Sequence, residues 1–177
     1  MNKYKPKVAF TGYRTEKMPF AEDTRNEHYC TFRKKLFIII NQLIDMGYHS
    51  YISGMAIGFD TWAAETVIEL GASLECAIPF PEQADDWDEC DQQRRSEIIK
   101  RCDKETIVSN SNKKGSYYKR NRYMVDNADI IVCGYGGRKS GGTAYTVNYA
   151  LQQNKVVIQL NPKTCEITFL SERKIDL

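Results

Sequence analysis

A chain of 177 residues, 42% of them hydrophobic, is long and apolar enough to bury a core, which excludes global disorder and leads us to expect one domain over residues 1–177. Lysine and arginine number 25 against 23 acids, a net charge of +2, which argues against a dominant nucleic-acid or membrane surface. Six cysteines with no C-x-x-C pair and only two histidines give no zinc site, so no metal is expected, and reduced thiols point to the cytoplasm.

The charged N-terminus runs straight into a strand, so no leader is expected, and no apolar run reaches membrane-spanning length. Lys7 to Gly12 reads as the first strand, and it ends in Thr11-Gly12-Tyr13-Arg14. Glycine there permits close backbone approach, and Arg14 can hold a phosphate with two hydrogen bonds. Asp23 to Met46 is the clearest helix: Phe32, Leu36, Ile39, Ile40 and Leu43 share a face, Thr24 with Glu27 forms a capping-box pattern, and Gly47 ends it.

A weaker strand from Tyr48 to Ser53 leads into Ser53-Gly54-Met55-Ala56-Ile57-Gly58-Phe59-Asp60, a second strand–glycine–helix junction. The helix runs from about Asp60 to Leu70. A carboxylate in its first turn is favoured by the helix dipole but repels phosphate, so Asp60 suits a ribose or base edge. Glu65, about a turn later, is either a surface acid or a second carboxylate for the site. Leu74 to Phe80 is the third strand. The acids from Asp85 to Glu89 fit a helix N-terminus better than a cation site, and Trp87 among them is a candidate for base stacking.

Glu105 to Ser109 is a short fourth strand. Beyond it, Lys113, Lys114, Lys119, Arg120 and Arg122 alternate with Tyr117, Tyr118 and Tyr123, a pattern that fits either a solvated helix face or single-strand nucleic-acid binding. Tyr117, Asn121, Met124 and Ala128 share a face, which points Asn121 toward a ligand crevice. Ile130 to Cys133 is an unbroken apolar run, as in a strand buried on both sides. Gly134, Gly136, Gly137, Gly141 and Gly142 follow, with Arg138, Lys139 and Ser140 between them and Thr143 opening a helix to Gln153. No acid lies between Cys133 and Ala150, so this loop reads as a phosphate cradle at a helix N-terminus. Neither the dinucleotide G-x-G-x-x-G nor the P-loop pattern fits, because Lys139 stands where each needs glycine. Lys155 to Leu160 is the sixth strand, with an edge strand expected near Glu166 to Phe169.

Six alternations of strand and helix imply an α/β fold: Rossmann-like, doubly wound, with a mostly parallel sheet and helices on both faces. Ligands in such folds bind at the carboxyl ends of strands where the strand order reverses, so the three glycine junctions are expected to meet there.

These junctions resemble the SLOG superfamily, in particular its YpsA-like branch. The likeness is carried by Thr11 to Arg14, Ser53 to Glu65, Ile78-Pro79-Phe80 with Trp87, and Tyr118 to Arg122 before Asp129, over about residues 5 to 160. The Ser53 to Asp60 stretch is similar to a motif of the single-strand-binding DprA proteins, and Gly136 to Thr143 to one of the cytokinin-activating LOG enzymes. The resemblance implies a Rossmann-like fold and a nucleotide or nucleotide-derived ligand. Thr146 stands where the LOG motif has its glutamate and Tyr135 where it has proline, which counts against that chemistry unless Asp60 or Glu65 replaces the acid.

We therefore expect a cytosolic protein that binds or senses a nucleotide or ADP-ribose-like ligand. Its expected contacts are Thr11, Gly12, Arg14, Ser53, Gly54, Gly58, Asp60, Trp87, Asn121, Gly134, Gly136, Gly137, Ser140, Gly141, Gly142 and Thr143. The alternatives are a nucleotide N-glycosidase using Asp60 or Glu65, and a single-strand nucleic-acid binder. No cofactor is implied beyond a nucleotide or NAD-derived ligand. Some members of the superfamily associate, so the resemblance leaves a homodimer open.

Overall fold

The computed structural model describes residues 5–177. Residues 1–4, on which part of the expectation about a leader rests, lie outside the described residues. Among the described residues seven strands form one sheet, in the order β4-β3-β2-β1-β5-β6-β7. They are β1 (Lys7–Gly12), β2 (Ser50–Ser53), β3 (Ser73–Ile78), β4 (Lys104–Ile107), β5 (Ile130–Gly134), β6 (Val156–Leu160) and β7 (Ile167–Phe169). Every pairing is parallel except β6 with β7. The expected edge strand is thus present and antiparallel. The strand order reverses between β1 and β5, where Gly12 and Gly134 are register partners. All five residues of β5 are buried, as the unbroken apolar run requires.

The helices are α1 (Glu27–Asp45), α2 (Phe59–Glu69), α3 (Glu89–Arg101), α4 (Ser116–Asp126) and α5 (Gly142–Gln152). They cover both faces of the sheet. α2 touches α1 and α3, and α4 touches α5. Helix α1 starts later than the capping-box pattern suggests. Its N-cap is Asn26, whose Oδ1 accepts from the Tyr29 N–H at 3.1 Å. The Asp23 carboxylate already holds the Arg25 backbone and guanidinium, which fixes a turn there and delays the helix. The rest of α1 follows its sequence: Phe32, Leu36, Ile39, Ile40 and Leu43 have no exposed surface. Trp62 is a core residue, packed against Phe20, Tyr29 and Phe32. Among the described residues no helix is long and apolar enough to cross a membrane.

Candidate functional site

The strand–helix junctions are stitched together by main-chain bonds at the point where strand order reverses. Tyr13 donates its N–H to Gly134 O at 3.0 Å, and Phe59 N–H at the start of α2 donates to Tyr13 O at 3.2 Å. The Thr143 hydroxyl, in the first turn of α5, donates to Gly12 O at 2.9 Å. Gly12 and Gly134 are needed for a reason the sequence does not show. The Phe59 ring lies over both. A Cβ on Gly12 would come within 2.5 Å of Phe59 Cδ1, and one on Gly134 within 2.6 Å of Phe59 Cγ. Phe59 thus wedges α2 onto the reversal point.

Above this wedge lies a cavity of about 310 Å³. Thr11, Gly12, Arg14, Asp60, Asn121, Gly142 and Thr143 line it, together with Tyr13, Glu16, Lys17, Ala56, Tyr117 and Arg120. Its deepest charges are Asp60 and Arg120, only 5% and 4% exposed. Arg120 donates through Nη1 to Gly54 O, and to Ala77 O at 3.4 Å, and through Nε to Asn121 Oδ1 at 2.9 Å. A side chain at residue 54 would collide with both charged groups, its Cβ 2.6 Å from Arg120 Cζ and 2.8 Å from Asp60 Oδ2. Gly54 is therefore the floor on which the pair rests. Burial pushes the Asp60 carboxyl up to about 6, against the pull of Arg120, an Ala56 N–H and Arg14. Burial likewise lowers the Arg120 pKa, and Asp60 partly restores it. The outer wall is more polar and more exposed. It is formed by Arg14 and by Glu16 and Lys17 of a short 3₁₀ turn, Thr15–Lys17. The N-cap of α5 is Gly141, which has no side chain to cap the N–H groups of the first turn beside Gly142 and Thr143.

The other expected residues are placed differently. Ser53 is fully buried beneath the cavity, donating to Asp60 O at 2.8 Å and accepting from Met55 N–H at 3.2 Å, so it shapes the loop. Gly58 turns the chain into α2 at φ +95°. Gly134 is buried under Phe59. Gly137, Ser140 and Gly141 are exposed and Gly136 half-buried on the loop before α5; they approach the cavity without lining it. Trp87 is half-buried and outside the lining.

Glu65 also lies outside the lining. It binds Arg94 with two bonds, Nε–Oε1 at 2.5 Å and Nη2–Oε2 at 2.8 Å, while Arg94 Nη1 reaches Glu22 at 2.6 Å. Glu22 accepts from Trp62 Nε1 at 2.9 Å. This network joins the loop before α1 to α2 and α3. Glu65→Gln should cost about 1–2 kcal/mol in urea unfolding and leave ligand affinity unchanged. A collapse of binding in that variant would return Glu65 to the site.

Arg120 is the residue that sequence reasoning placed wrongly, on a solvated face. A signal was present: Ser116, Arg120, Asn121 and Met124, all buried, follow the i, i+4, i+5, i+8 spacing of one helix face. An arginine on such a face calls for a buried acid, and Asp60 answers it. Lys119 and Arg122 on the same helix are exposed, as expected. Among the described residues no group of three or more His, Cys, Asp or Glu side chains could hold a metal ion.

A doubly wound sheet with a polar cavity at its reversal point, between the N-termini of α2 and α5, defines a Rossmann-like protein. The chain belongs to the YpsA family, described as the YspA SLOG family, whose model matches residues 8–165. It is 26% identical over 156 residues to a UPF0398 protein of Halalkalibacterium halodurans, covering 84% of this chain and 82% of the relative. It is 25% identical over 152 residues to one from Listeria monocytogenes, covering 82% and 83%. Among solved structures it resembles DNA processing protein A from Streptococcus pneumoniae (TM-score 0.61, 16% identity, 89% of this chain but 50% of that one). It also resembles the molybdenum cofactor binding protein of Rippkaea orientalis (TM-score 0.57, 18% identity, 89% and 77%). At these identities the structures share the fold alone.

Proposed function

We propose that this chain binds a nucleotide or nucleotide-derived ligand of the ADP-ribose kind in the cavity between β1, α2, α4 and α5. The observation that carries the reading is the convergence of Arg14, Lys17 and the uncapped α5 N-terminus with the buried Asp60–Arg120–Asn121 group. Cations and free N–H groups suit phosphate oxygens. A carboxylate and an amide set deeper suit ribose hydroxyls or a base edge. The cavity volume sits at the small end of ligand pockets, so a nucleotide-sized part is enclosed and the remainder extends over the glycine loop. Fold neighbours described as binding molybdenum cofactor or single-stranded DNA agree with this ligand chemistry. The test is calorimetric titration with AMP, ADP-ribose and NAD. At least one should bind, and Arg14→Ala should weaken it about tenfold. No heat from any of them would defeat the reading.

A second reading is cleavage of an N-glycosidic bond, and the raised Asp60 carboxyl favours it, since a buried acid near 6 can deliver a proton. Thr146 is buried and spends its hydroxyl on Gly142 O at 2.8 Å, so it supplies no acid. Release of free base that vanishes in Asp60→Asn would establish this chemistry; absence of release leaves binding alone.

The same carboxyl predicts a pH effect. Its folded pKa is raised from 3.8 to about 6, so burying the charge costs stability that is fully recovered below about 4. Between about pH 7 and pH 4 the protein should gain about 2 kcal/mol relative to Asp60→Asn in urea unfolding. A difference that stays flat over that window would show that Asp60 titrates normally.

A further inference from the structure

Helices α4 and α5 carry a second surface, separate from the cavity. On α4, Arg120, Asn121 and Met124 are buried, while Tyr118, Lys119 and Arg122 are exposed. A groove of about 680 Å³ runs along this exposed side, walled by Tyr118, Tyr123 and Tyr145 with Lys119 and Arg122 along its length. It joins a polar depression of about 380 Å³ that adds Lys113 and Lys114, the two sharing Val108, Gly115 and Lys119. Among the described residues Asp126 is the one acid lining either, and it already accepts from the Tyr149 hydroxyl at 2.8 Å.

The aromatic rings there form a ladder. Tyr118, 48% exposed, meets Tyr145 with centroids 4.5 Å apart, and Tyr145 stacks on Tyr149 at an interplanar angle of 5°. The Arg122 guanidinium lies 5.8 and 5.3 Å from these two ring centroids, held by an Nε bond of 2.5 Å to the Tyr145 hydroxyl. A flat cation is thus held over Tyr145 and Tyr149, and the half-exposed Tyr118 ring meets the same Tyr145. The nearby start of α4 has no side-chain cap.

We propose that this α4–α5 face binds single-stranded nucleic acid, independently of whatever the cavity holds. Lys113, Lys114, Lys119 and Arg122 supply four cations against one engaged carboxylate, which matches a phosphate backbone. Tyr118 and the Arg122 plane offer stacking surfaces, which accept any unpaired base. A duplex keeps its bases stacked and gains nothing from those planes. A second copy of the chain is disfavoured because pairing this face with itself would bring two sets of four cations together. An overall charge of only +2 places the attraction in the patch, so binding should be short-range and strongly salt-dependent.

The experiment is fluorescence anisotropy of the full chain with labelled oligothymidylate at low and at physiological salt. Saturable binding is expected at low salt, weakened about tenfold or more by Tyr118→Ala/Arg122→Ala and by Lys113→Glu/Lys114→Glu. The lysine pair guards against a folding defect from losing the Arg122–Tyr145 bond. Both variants should keep the wild-type response to ADP-ribose, whatever its size, so failure here and failure of the cavity reading are separable. Lack of binding at low salt overturns the proposal, as does binding that neither variant weakens. A concentration-dependent dimer dissolved by both variants, without oligonucleotide binding, overturns it in favour of self-association.

Discussion

Replacing Arg120 with methionine should cost about 3–5 kcal/mol and abolish ligand binding. The loss is large because the guanidinium is nearly inaccessible and holds together parts of the chain distant in sequence: Gly54 O, Ala77 O and Asn121 Oδ1 all accept from it. Its removal strands these acceptors and leaves the Asp60 carboxylate in a dry environment without its strongest nearby cation. Adding Asp60→Asn should return about 2 kcal/mol or more, because a neutral pair no longer requires a counter-charge. The double variant should remain unable to bind ligand. Urea unfolding and calorimetric titration on the same samples check both statements. Recovery of binding along with stability would mean that the pair is scaffolding only.

The second large effect is expected at Gly58. Alanine there must adopt φ near +95°, a conformation that disfavours any side chain, and its Cβ would lie 2.7 Å from Thr15 N and 2.8 Å from Tyr13 O. Both obstacles are backbone, so no rotamer change relieves them. The cost should be about 3 kcal/mol or more, and the Phe59–Tyr13 bond should open with it. Thermal unfolding measures the first, and amide exchange at Phe59 the second. A variant as stable as the parent, with a protected Phe59 amide, would contradict the role given to this glycine.

Much of the architecture was legible in the sequence, for identifiable reasons. Strands that end in glycine, helices with a clear apolar stripe, and the unbroken run at Ile130 to Cys133 gave the order of elements and the parallel sheet. The meeting of three junctions followed from the fold rule alone, and the bonds from Tyr13 and Thr143 realise it. What stayed hidden depends on contacts between distant parts of the chain. Glycine at 12 and 134 announces close approach but not the partner, which on the side a Cβ would occupy is the Phe59 ring. Arg120 looked like one cation among several because its acid lies 60 residues away in the chain. The start of α1 was misplaced because a local Asp23–Arg25 turn competes with the capping box. Glu65 sits next to the right motif, yet faces Arg94 on another helix.

The Phe59 wedge has a kinetic consequence. Two strands and a helix meet on one inflexible ring, so the inner half of the basin is cast during folding and has little freedom left to surrender when a guest arrives. Empty and occupied forms should superimpose closely around residues 12, 59 and 134, with any adjustment confined to the rim at residues 14–17, anchored by a single short turn. How long a guest stays would then be decided at that rim, while which guest fits is decided by the rigid floor.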